Sequence, residues 1–292
     1  MGARTLAGLV LTAATVAACG SSVAAPPSGP RAAIVEVTRG FGQQTLSTDR
    51  AAPGQSALTA LRRAAHISTM YSGRFVQAID GLAGDQSHGM AWLYFINGIQ
   101  ANVGAADYTL HPGDTEWWDY RYWNDLIQVP VAIGAWPDPF VHGYDGKRPA
   151  VSVTGPPCAQ KLAAALRAAG AHVGGRTSPF SVRVETFARA AAALASSAWQ
   201  GRGLTVSLAH GRVIVYRGRS GQQPDPAAHA VIAAYQPGAA TGTSAALIVA
   251  GDTTAAACAA ARTLAGRPGS VRDAYAVALD GSGNVIAYGG RP

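Results

Sequence analysis

Trp92-Leu-Tyr-Phe-Ile-Asn-Gly98 is the stretch that decides the fold expected for the first part of this chain. Its five apolar and aromatic residues are typical of a β-strand. Asn97-Gly98 is the dipeptide best suited to the two positive-φ positions of a two-residue hairpin turn. The sequence therefore predicts a strand over Trp92–Ile96 that turns back sharply at Asn97.

The residues before this strand predict one helix and two further strands. Ala33–Thr38 alternates apolar and polar positions as a half-buried strand does, and Gly40–Thr48 supplies a turn and a return. Gln55–Ala65 places Ala and Leu at helical spacing after the start signal Pro53-Gly54. Phe75–Ile79 is typical of a strand that ends in a turn.

The residues after the Asn-Gly turn predict two more strands. These are Tyr108–Leu110 and Thr115–Trp123, joined by a turn at Pro112-Gly-Asp114. One helix against a small mixed sheet is the arrangement of a β-grasp domain, which we expect over residues 32–124.

Together these segments resemble the transcobalamin-C-terminal-like family, also called DUF4430. The residues that carry the resemblance are Ser56-Ala-Leu-Thr-Ala-Leu61, Trp92–Gly98, Val103-Gly104, Tyr108-Thr-Leu-His-Pro-Gly-Asp114 and Glu116-Trp117. The resemblance covers Ala32 to Trp123 and implies a fold similar to the soluble ligand-binding β-grasp domains, common in bacterial surface lipoproteins. In transcobalamin the domain closes one face of a bound corrinoid, so the resemblance implies a small ligand, with cobalamin as a candidate. The chain departs from that protein because it lacks the length and the helical repeats for the helical barrel that covers the other face.

The last predicted strand is more aromatic than the family pattern requires. With a period of two, Trp118, Tyr120 and Tyr122 share one face, while Trp117, Asp119, Arg121 and Trp123 share the other. A small two-layer domain needs one apolar face, so the surplus face is either covered by the rest of the chain or is a platform for a flat or sugar-like ligand. Trp92 and Tyr94 likewise lie across from Leu93 and Phe95, and the sequence leaves open which pair is core. The candidate ligand-binding residues are Trp92, Tyr94, Trp118, Tyr120 and Tyr122.

The first 19 residues predict export and a lipid anchor. Leu6–Ala18 is an apolar stretch that follows Arg4, is too short to span a bilayer, and stops at Cys19. Val16-Ala-Ala-Cys19 resembles the lipobox of bacterial lipoproteins, in which the Cys thiol is acylated. We expect a signal peptide over 1–18, lipidation of Cys19, a flexible tether over 19–31, and a location on the extracytoplasmic face of the cell membrane. The alternative is a simple cleaved signal peptide whose Cys is incidental.

The two remaining cysteines, Cys158 and Cys258, form a candidate disulfide because disulfides persist outside the cytoplasm. Two buried free thiols are the alternative. The seven histidines are scattered without the spacing of a zinc site, so the sequence predicts neither a metal site nor a resident cofactor.

A change of composition divides the chain after the aromatic segment. Five of the six Trp lie between residues 92 and 136, whereas the second half is rich in Ala. Residues 125–149 contain the proline-rich connector and 150–292 a second domain, which we expect to be a two-layer α/β sandwich.

An internal near-repeat supports that expectation. Ala150–Gly155 with a helix to Gly170 parallels Ala246–Gly251 with a helix to Gly266, and each half ends in a hairpin, at 205–216 and 276–288. Chance similarity of Ala-rich segments is the alternative. The predicted fold class is thus α+β, a β-grasp domain followed by an α/β domain with internal duplication.

The sequence disfavours an enzyme and a nucleic-acid-binding protein. The net charge of +7 is spread along the chain and forms no basic patch with interleaved aromatics. Ser244 precedes a strand, Gly251–Thr254 reads as a helix cap, and Asp280–Asn284 reads as a hairpin turn, so no catalytic residue is predicted. The leading hypothesis is a membrane-anchored protein that binds a small ligand for an uptake transporter. The alternative is a surface protein-interaction module without a small ligand.

Overall fold

A computed structural model describes residues 1–2, 31–124, 126, 129–175, 177–194, 205–236 and 244–291. Eight strands and one helix make up the first part of the fold. They are β1 (Ala33–Arg39), β2 (Gln44–Ala51), α1 (Ala57–Ala64), β3 (Ile67–Met70), β4 (Phe75–Ile79), β5 (Leu82–Ala83), β6 (Met90–Ile96), β7 (Ile99–Gln100) and β8 (Thr115–Tyr122). Cys19 and the predicted signal peptide beyond residue 2 lie outside the described residues. None of the helices in these ranges is long and apolar enough to cross a membrane.

The first sheet has a β-grasp arrangement. Its strand order is β2-β1-β8-β6-β7, and the central neighbours β1 and β8 run parallel while the other pairs are antiparallel. Helix α1 begins at Ser56, whose Oγ accepts a hydrogen bond from the Thr59 N–H at 3.2 Å, and it buries Leu58 and Leu61 against the sheet. The expected mixed α+β class is confirmed.

One predicted strand is absent from the first sheet. Tyr108–Leu110 forms only an isolated bridge between Thr109 and Ser56. Its carbonyls instead accept from the chain that enters α1, as the Ala57 N–H donates to Tyr108 at 2.9 Å and the Gly54 N–H to Leu110 at 2.7 Å. The prediction of a strand here was wrong because this segment satisfies the start of the helix. The small sheet β3-β4-β5 was predicted only in part, through β4.

The second part contains a six-stranded sheet and a separate three-stranded one. Its elements are β9 (Val151–Thr154), α2 (Ala159–Ala169), β10 (Phe180–Thr186), α3 (Phe187–Leu194), β11 (Val206–Ala209), β12 (Arg212–Tyr216), β13 (Gln222–Pro224), β14 (Ala230–Tyr235), β15 (Ala245–Gly251), α4 (Thr254–Gly266), β16 (Ala276–Leu279) and β17 (Val285–Tyr288). The larger sheet has the order β17-β16-β14-β15-β10-β9, and the smaller one is β11-β12-β13.

The internal repeat extends to a strand and a helix and stops before the hairpins. β9 and β15 both run parallel to β10, one on each side, and each leads into a helix, α2 or α4. The hairpin β16-β17 belongs to the six-stranded sheet, whereas β11-β12 belongs to the three-stranded one. The two halves therefore share a strand-helix unit and differ in the position of their hairpins.

A disulfide joins the starts of the two repeated helices. Cys158 precedes α2 and Cys258 lies near the start of α4, with their Cα atoms 5.6 Å apart and 100 residues between them in sequence. The predicted pairing is confirmed.

The connector packs between the two parts, and residues 31–292 form one compact unit. The Ala132 N–H donates to the Gly98 carbonyl at 2.7 Å, so the connector lies directly against the Asn-Gly turn. On its other side Gly134 is so close to Asp273 and Ala274 that an added Cβ would lie 2.5 to 2.6 Å from their main chain. A side chain at position 134 would therefore push the two parts apart.

Replacement of both cysteines, C158S/C258S, is expected to lower the free energy of unfolding by about 4 kcal/mol, because the bridge closes a loop of about a hundred residues in the unfolded chain. Urea unfolding of wild type and variant checks this. Wild type unfolded in reductant should behave like the double variant, and an unchanged midpoint in both cases would show that the bridge does not stabilise the fold.

Candidate ligand-binding groove

An aromatic groove runs between β4 and the outer edge of β6. It consists of two adjoining cavities with volumes of about 360 and 240 Å³. The residues that line both cavities are Phe75, Val76, Trp92, Leu93 and Gln100. These five residues, with the further lining residues named below, are called the aromatic groove.

The two ends of the groove differ in character. The smaller cavity is also lined by Arg74, Tyr94, Ala101, Gly104, Ala105 and Trp118, and the larger one by Gln77, Gly84, Gln86, Met90, Ala91 and Trp123. The small end thus adds two rings and an exposed guanidinium, while the large end adds the Trp123 ring, two amide side chains and aliphatic groups.

The structure brings three of the five candidate ligand-binding residues into this groove. Trp92, Tyr94 and Trp118 line it, and the Tyr120 ring packs behind Trp92 with 5.2 Å between ring centroids. Tyr122 lies elsewhere, where the guanidinium of Arg219 covers its ring at 5.4 Å. The alternation along β8 therefore places Trp118 and Tyr120 on the groove side, and Tyr122 diverges at the end of the strand.

The polar tips of the groove rings are bound by the main chain around them. Trp92 Nε1 donates to the Leu82 carbonyl at 2.8 Å, and the Tyr120 hydroxyl donates to the Ala83 carbonyl at 2.9 Å. The Tyr94 hydroxyl donates to the Val103 carbonyl, and the Tyr94 ring stacks on Trp118 with 4.8 Å between centroids. The rings are therefore held in fixed orientations before any ligand arrives.

The outer edge of β6 adds polar main-chain groups to the groove. β7 pairs only with Phe95 and Ile96, so the edge before them is not covered by a strand. Met90 and Tyr94 direct main-chain groups away from β8, as Met90 exchanges hydrogen bonds with Asp85 and Tyr94 accepts from the Ala101 N–H at 3.1 Å. Since main-chain direction alternates along a strand, the N–H and C=O of Trp92 point the same way, toward the groove.

One cationic side chain lies at the small end of the groove. The side chain of Arg74 is 74% exposed, and its Nη2 lies 4.0 Å from Asp107 Oδ1. An exposed pair at this distance contributes little to stability, so the guanidinium is available to an anionic group of a ligand.

A buried carboxyl lies beneath the stacked rings. Glu116 is fully buried, and its Oε1 accepts a hydrogen bond from Trp118 Nε1 at 2.6 Å. Its Oε2 has no hydrogen-bond partner in the described part of the chain. Burial raises the pKa of Glu116 to about 8, so the neutral carboxyl is the main form at neutral pH.

The other face of β8 is covered by the second part of the chain. Trp117 contacts Phe95 and Tyr275, with ring centroids 5.1 and 5.3 Å away. The Arg121 guanidinium lies 5.0 Å from the Phe41 ring centroid and donates to the Leu126 carbonyl at 2.7 Å. The sequence left open whether the surplus aromatic face is covered or is a ligand platform. For the face of Trp117 and Arg121, the structure shows that the connector and the second part of the chain cover it.

A polar cluster around Asn97 gives the Asn-Gly turn a second role that sequence reasoning missed. Asn97 is fully buried, and its Nδ2 donates to Asp114 Oδ1 at 2.8 Å and to the Gly143 carbonyl at 2.9 Å. Asp114 Oδ2 accepts from the His111 N–H at 2.8 Å. The Asn97-Gly98 turn and the Pro112-Gly-Asp114 turn are thus joined to each other and to the connector. The one sequence signal for this contact is that an Asn-Gly turn is followed by a Gly-Asp turn later in the chain.

Two further clefts lie in the second part or at its border. One, of about 520 Å³, is lined by residues 102–103, 107–108, 144–145, 147–149 and 179–180. The other, of about 450 Å³, contains His229, whose Nδ1 lies 2.6 Å from Asp252 Oδ2. Across the ranges that the structure covers, no three His, Cys, Asp or Glu side chains are grouped as a metal site would require.

The segments that the sequence assigned to turns and caps have those structures. The Asp280 carboxylate accepts from the Ser282 and Asn284 main-chain N–H groups at 2.9 Å each, which closes the β16-β17 turn. Thr253 caps α4 through its hydroxyl oxygen, which accepts from the Ala256 N–H at 3.2 Å. Ser244 directly precedes β15, as expected.

Comparison with known proteins supports the family resemblance. Residues 54–121 match the family described as "Domain of unknown function (DUF4430)". No curated protein matches the chain. Among solved structures, a protein from Ruminococcus gnavus ATCC 29149, provisionally described as metal binding, is similar over 32% of this chain and 97% of its own, with 17% identity and a TM-score of 0.27.

The buried carboxyl predicts a pH dependence of stability. Because the folded pKa of Glu116 is about 8 and its ordinary value is 4.5, the unfolded chain releases this proton at lower pH than the folded chain. The free energy of unfolding should therefore fall as pH rises from 4.5 to about 8, by at most about 1.4 kcal/mol per pH unit from this group.

The variant E116Q should lack this pH-dependent component. The free energy of unfolding of E116Q minus that of wild type should therefore increase as pH rises across the same window. Urea unfolding at several pH values checks this, and other buried carboxyls cancel because both proteins contain them. Parallel stability curves for the two proteins would contradict the assignment.

Proposed function

We propose that the aromatic groove binds a small, flat, mainly apolar ligand with one anionic group, and that the protein holds this ligand at the outer face of the cell membrane. The observation that carries the proposal is the set of rings Trp92, Tyr94 and Trp118, held in fixed orientations along one groove. Apolar walls with a few well-placed polar groups are typical of small-molecule sites.

Each part of the groove would contribute a different interaction. Phe75, which is 42% exposed, and the partly buried Tyr94 would contact a flat ligand, while Trp92 and Trp118, which are only 5% and 4% exposed, would form the floor beneath it. Rings that are already fixed lose little conformational entropy on binding. The main-chain N–H and C=O of Trp92 would supply a donor and an acceptor. Arg74 would pair with an anionic group at the small end, where it is exposed.

A corrinoid is the specific ligand that the family resemblance adds to this proposal. The larger cavity, of about 360 Å³, lies near the lower end of the usual range of roughly 300 to 1,000 Å³ for ligand sites. A corrinoid would therefore lie across the groove with one face on it. Such a contact is the one that the resemblance implies for the β-grasp domain.

The location at the membrane rests on the N-terminal sequence. The lipobox-like Val16-Ala-Ala-Cys19 would place the anchor about a dozen residues before β1. Such a tether reaches on the order of 40 Å at full extension. This reach suits transfer of a ligand to a membrane transporter.

Binding of anilinonaphthalene sulfonate, a flat aromatic anion whose fluorescence rises in apolar sites, tests the groove. The variant F75S removes a ring that lines both cavities, and we expect about tenfold weaker binding, on the basis of about 1.5 kcal/mol for the lost apolar contact. Leu46→Ser is the control, because Leu46 is as exposed as Phe75, at 43% against 42%, and lies on β2 outside the groove. Equal affinity of F75S and wild type would place the dye elsewhere and remove the support for the groove.

Protein purified from its native host tests the corrinoid version. We expect a visible absorption band of a bound corrinoid and a rise in melting temperature when cobalamin is added to the stripped protein. If neither is observed while the dye still binds in the groove, the ligand is another flat molecule and the corrinoid version is wrong.

A further inference from the structure

The tip of the β3-β4 hairpin exposes large apolar side chains. Met70 is 43% exposed, Tyr71 72% and Phe75 42%, whereas apolar residues elsewhere in β4 are buried. The Tyr71 and Phe75 rings contact each other edge to face, with 6.1 Å between centroids. The tip is therefore a small apolar surface that the described residues leave uncovered.

The main chain of the turn presents these side chains outward. Tyr71, Ser72 and Gly73 have φ angles of 52°, 58° and 87°, so three successive residues lie in the left-handed region. Glycine adopts this region readily, whereas residues with a side chain rarely do. Such unfavourable backbone conformations are found where function requires a particular presentation of side chains.

Basic side chains surround the apolar tip. Arg62, in the last turn of α1, reaches the turn, since its Nη2 lies 3.8 Å from the position that a Cβ on Gly73 would occupy. Arg74 lies within the tip and is largely exposed. An apolar projection flanked by guanidinium groups matches the interface of an anionic membrane, where rings lie at headgroup depth and arginines contact phosphates.

We infer that the β3-β4 tip inserts into the headgroup region of an anionic lipid membrane. The inference rests on the proposed tether for bringing the tip near the bilayer.

Charge argues for a lipid surface rather than a second copy of the chain. A symmetric dimer through this patch would bring Arg62 and Arg74 of both copies together, and like charges at short range oppose association. Anionic headgroups provide the opposite charge. Since Phe75 also lines the groove, insertion would place the groove mouth at the lipid surface.

Co-sedimentation with vesicles of phosphatidylglycerol and phosphatidylcholine in equal parts tests the inference. The full chain with Cys19→Ser is used so that no lipid can be attached, and residues 31–292, which hold both hydrophobic cores, are measured in parallel to remove the apolar segment 6–18. We expect M70S/Y71S to bind about tenfold more weakly than the parent. R62Q should bind about fivefold more weakly at low salt and lose this difference at high salt.

Control variants carry similar changes away from the tip. Leu46→Ser removes an apolar side chain of β2 that is 43% exposed, as Met70 is, and Arg167→Gln removes an exposed arginine from α2. Both should bind like the parent. Unchanged vesicle binding of M70S/Y71S and R62Q would overturn the inference. A concentration-dependent dimer that M70S/Y71S abolishes would overturn it as well, because the patch would then be a contact between copies.

The ligand proposal and the membrane proposal can be contradicted independently of each other. Arg62 lines neither the small nor the large cavity, so R62Q should bind anilinonaphthalene sulfonate with unchanged affinity. Loss of vesicle binding with intact dye binding supports the membrane contact. If M70S/Y71S and R62Q bind vesicles like the parent while F75S loses dye binding, the groove is supported and the membrane contact is not.

Discussion

The carboxylate of Asp119 is the interaction on which the arrangement of the two sheets depends. It is fully buried and accepts hydrogen bonds from the Thr38 hydroxyl at 2.7 Å, the Gly42 N–H at 3.1 Å and the Tyr275 hydroxyl at 3.0 Å. Burial raises its pKa, and these donors oppose that effect. Loss of one partner would leave a buried group unsatisfied, which is costly. One side chain therefore joins β1, the first turn and the second part of the chain.

These hydrogen bonds of Asp119 determine which face of β8 is buried. Because the Asp119 face is covered, its Trp117 and Arg121 serve packing, and within β8 it is the opposite face that borders the groove, through Trp118. On that face the rings meet the β4-β5 hairpin, which binds the tips of Trp92 and Tyr120 through the carbonyls of Leu82 and Ala83. The uncovered edge of β6 then leaves the aromatic groove between strand and hairpin. The fixed rings and main-chain groups of the groove arise from packing that the sheet requires in any case, whereas the Arg74 guanidinium comes from the exposed β3-β4 turn.

The local pattern of the sequence was sufficient for much of the fold. Strands β1, β4, β6 and β8, helix α1 and the Asn-Gly turn follow from periodicity and turn chemistry, which act over a few residues. The disulfide was predicted from the number of cysteines together with the expected extracytoplasmic location. The prediction of a strand at Tyr108–Leu110 was wrong, because the carbonyls of this segment accept hydrogen bonds from the residues that lead into α1. No local sequence pattern indicates such a distant partner.

The sequence by itself determined which rings belong together, because alternation along a strand fixes the faces of β8 and β6. It also indicated the family resemblance over Ala32 to Trp123, of which residues 54–121 match the family described as DUF4430. Only the tertiary structure decided that Trp117 is core, that Trp92, Tyr94 and Trp118 border a groove, and that Tyr122 lies away from it. The physical reason is that the burial of a strand face depends on which residues pack against it. The covering residues, such as Tyr275 and Leu82, come from other parts of the chain, and the sequence of the strand does not indicate which parts these are.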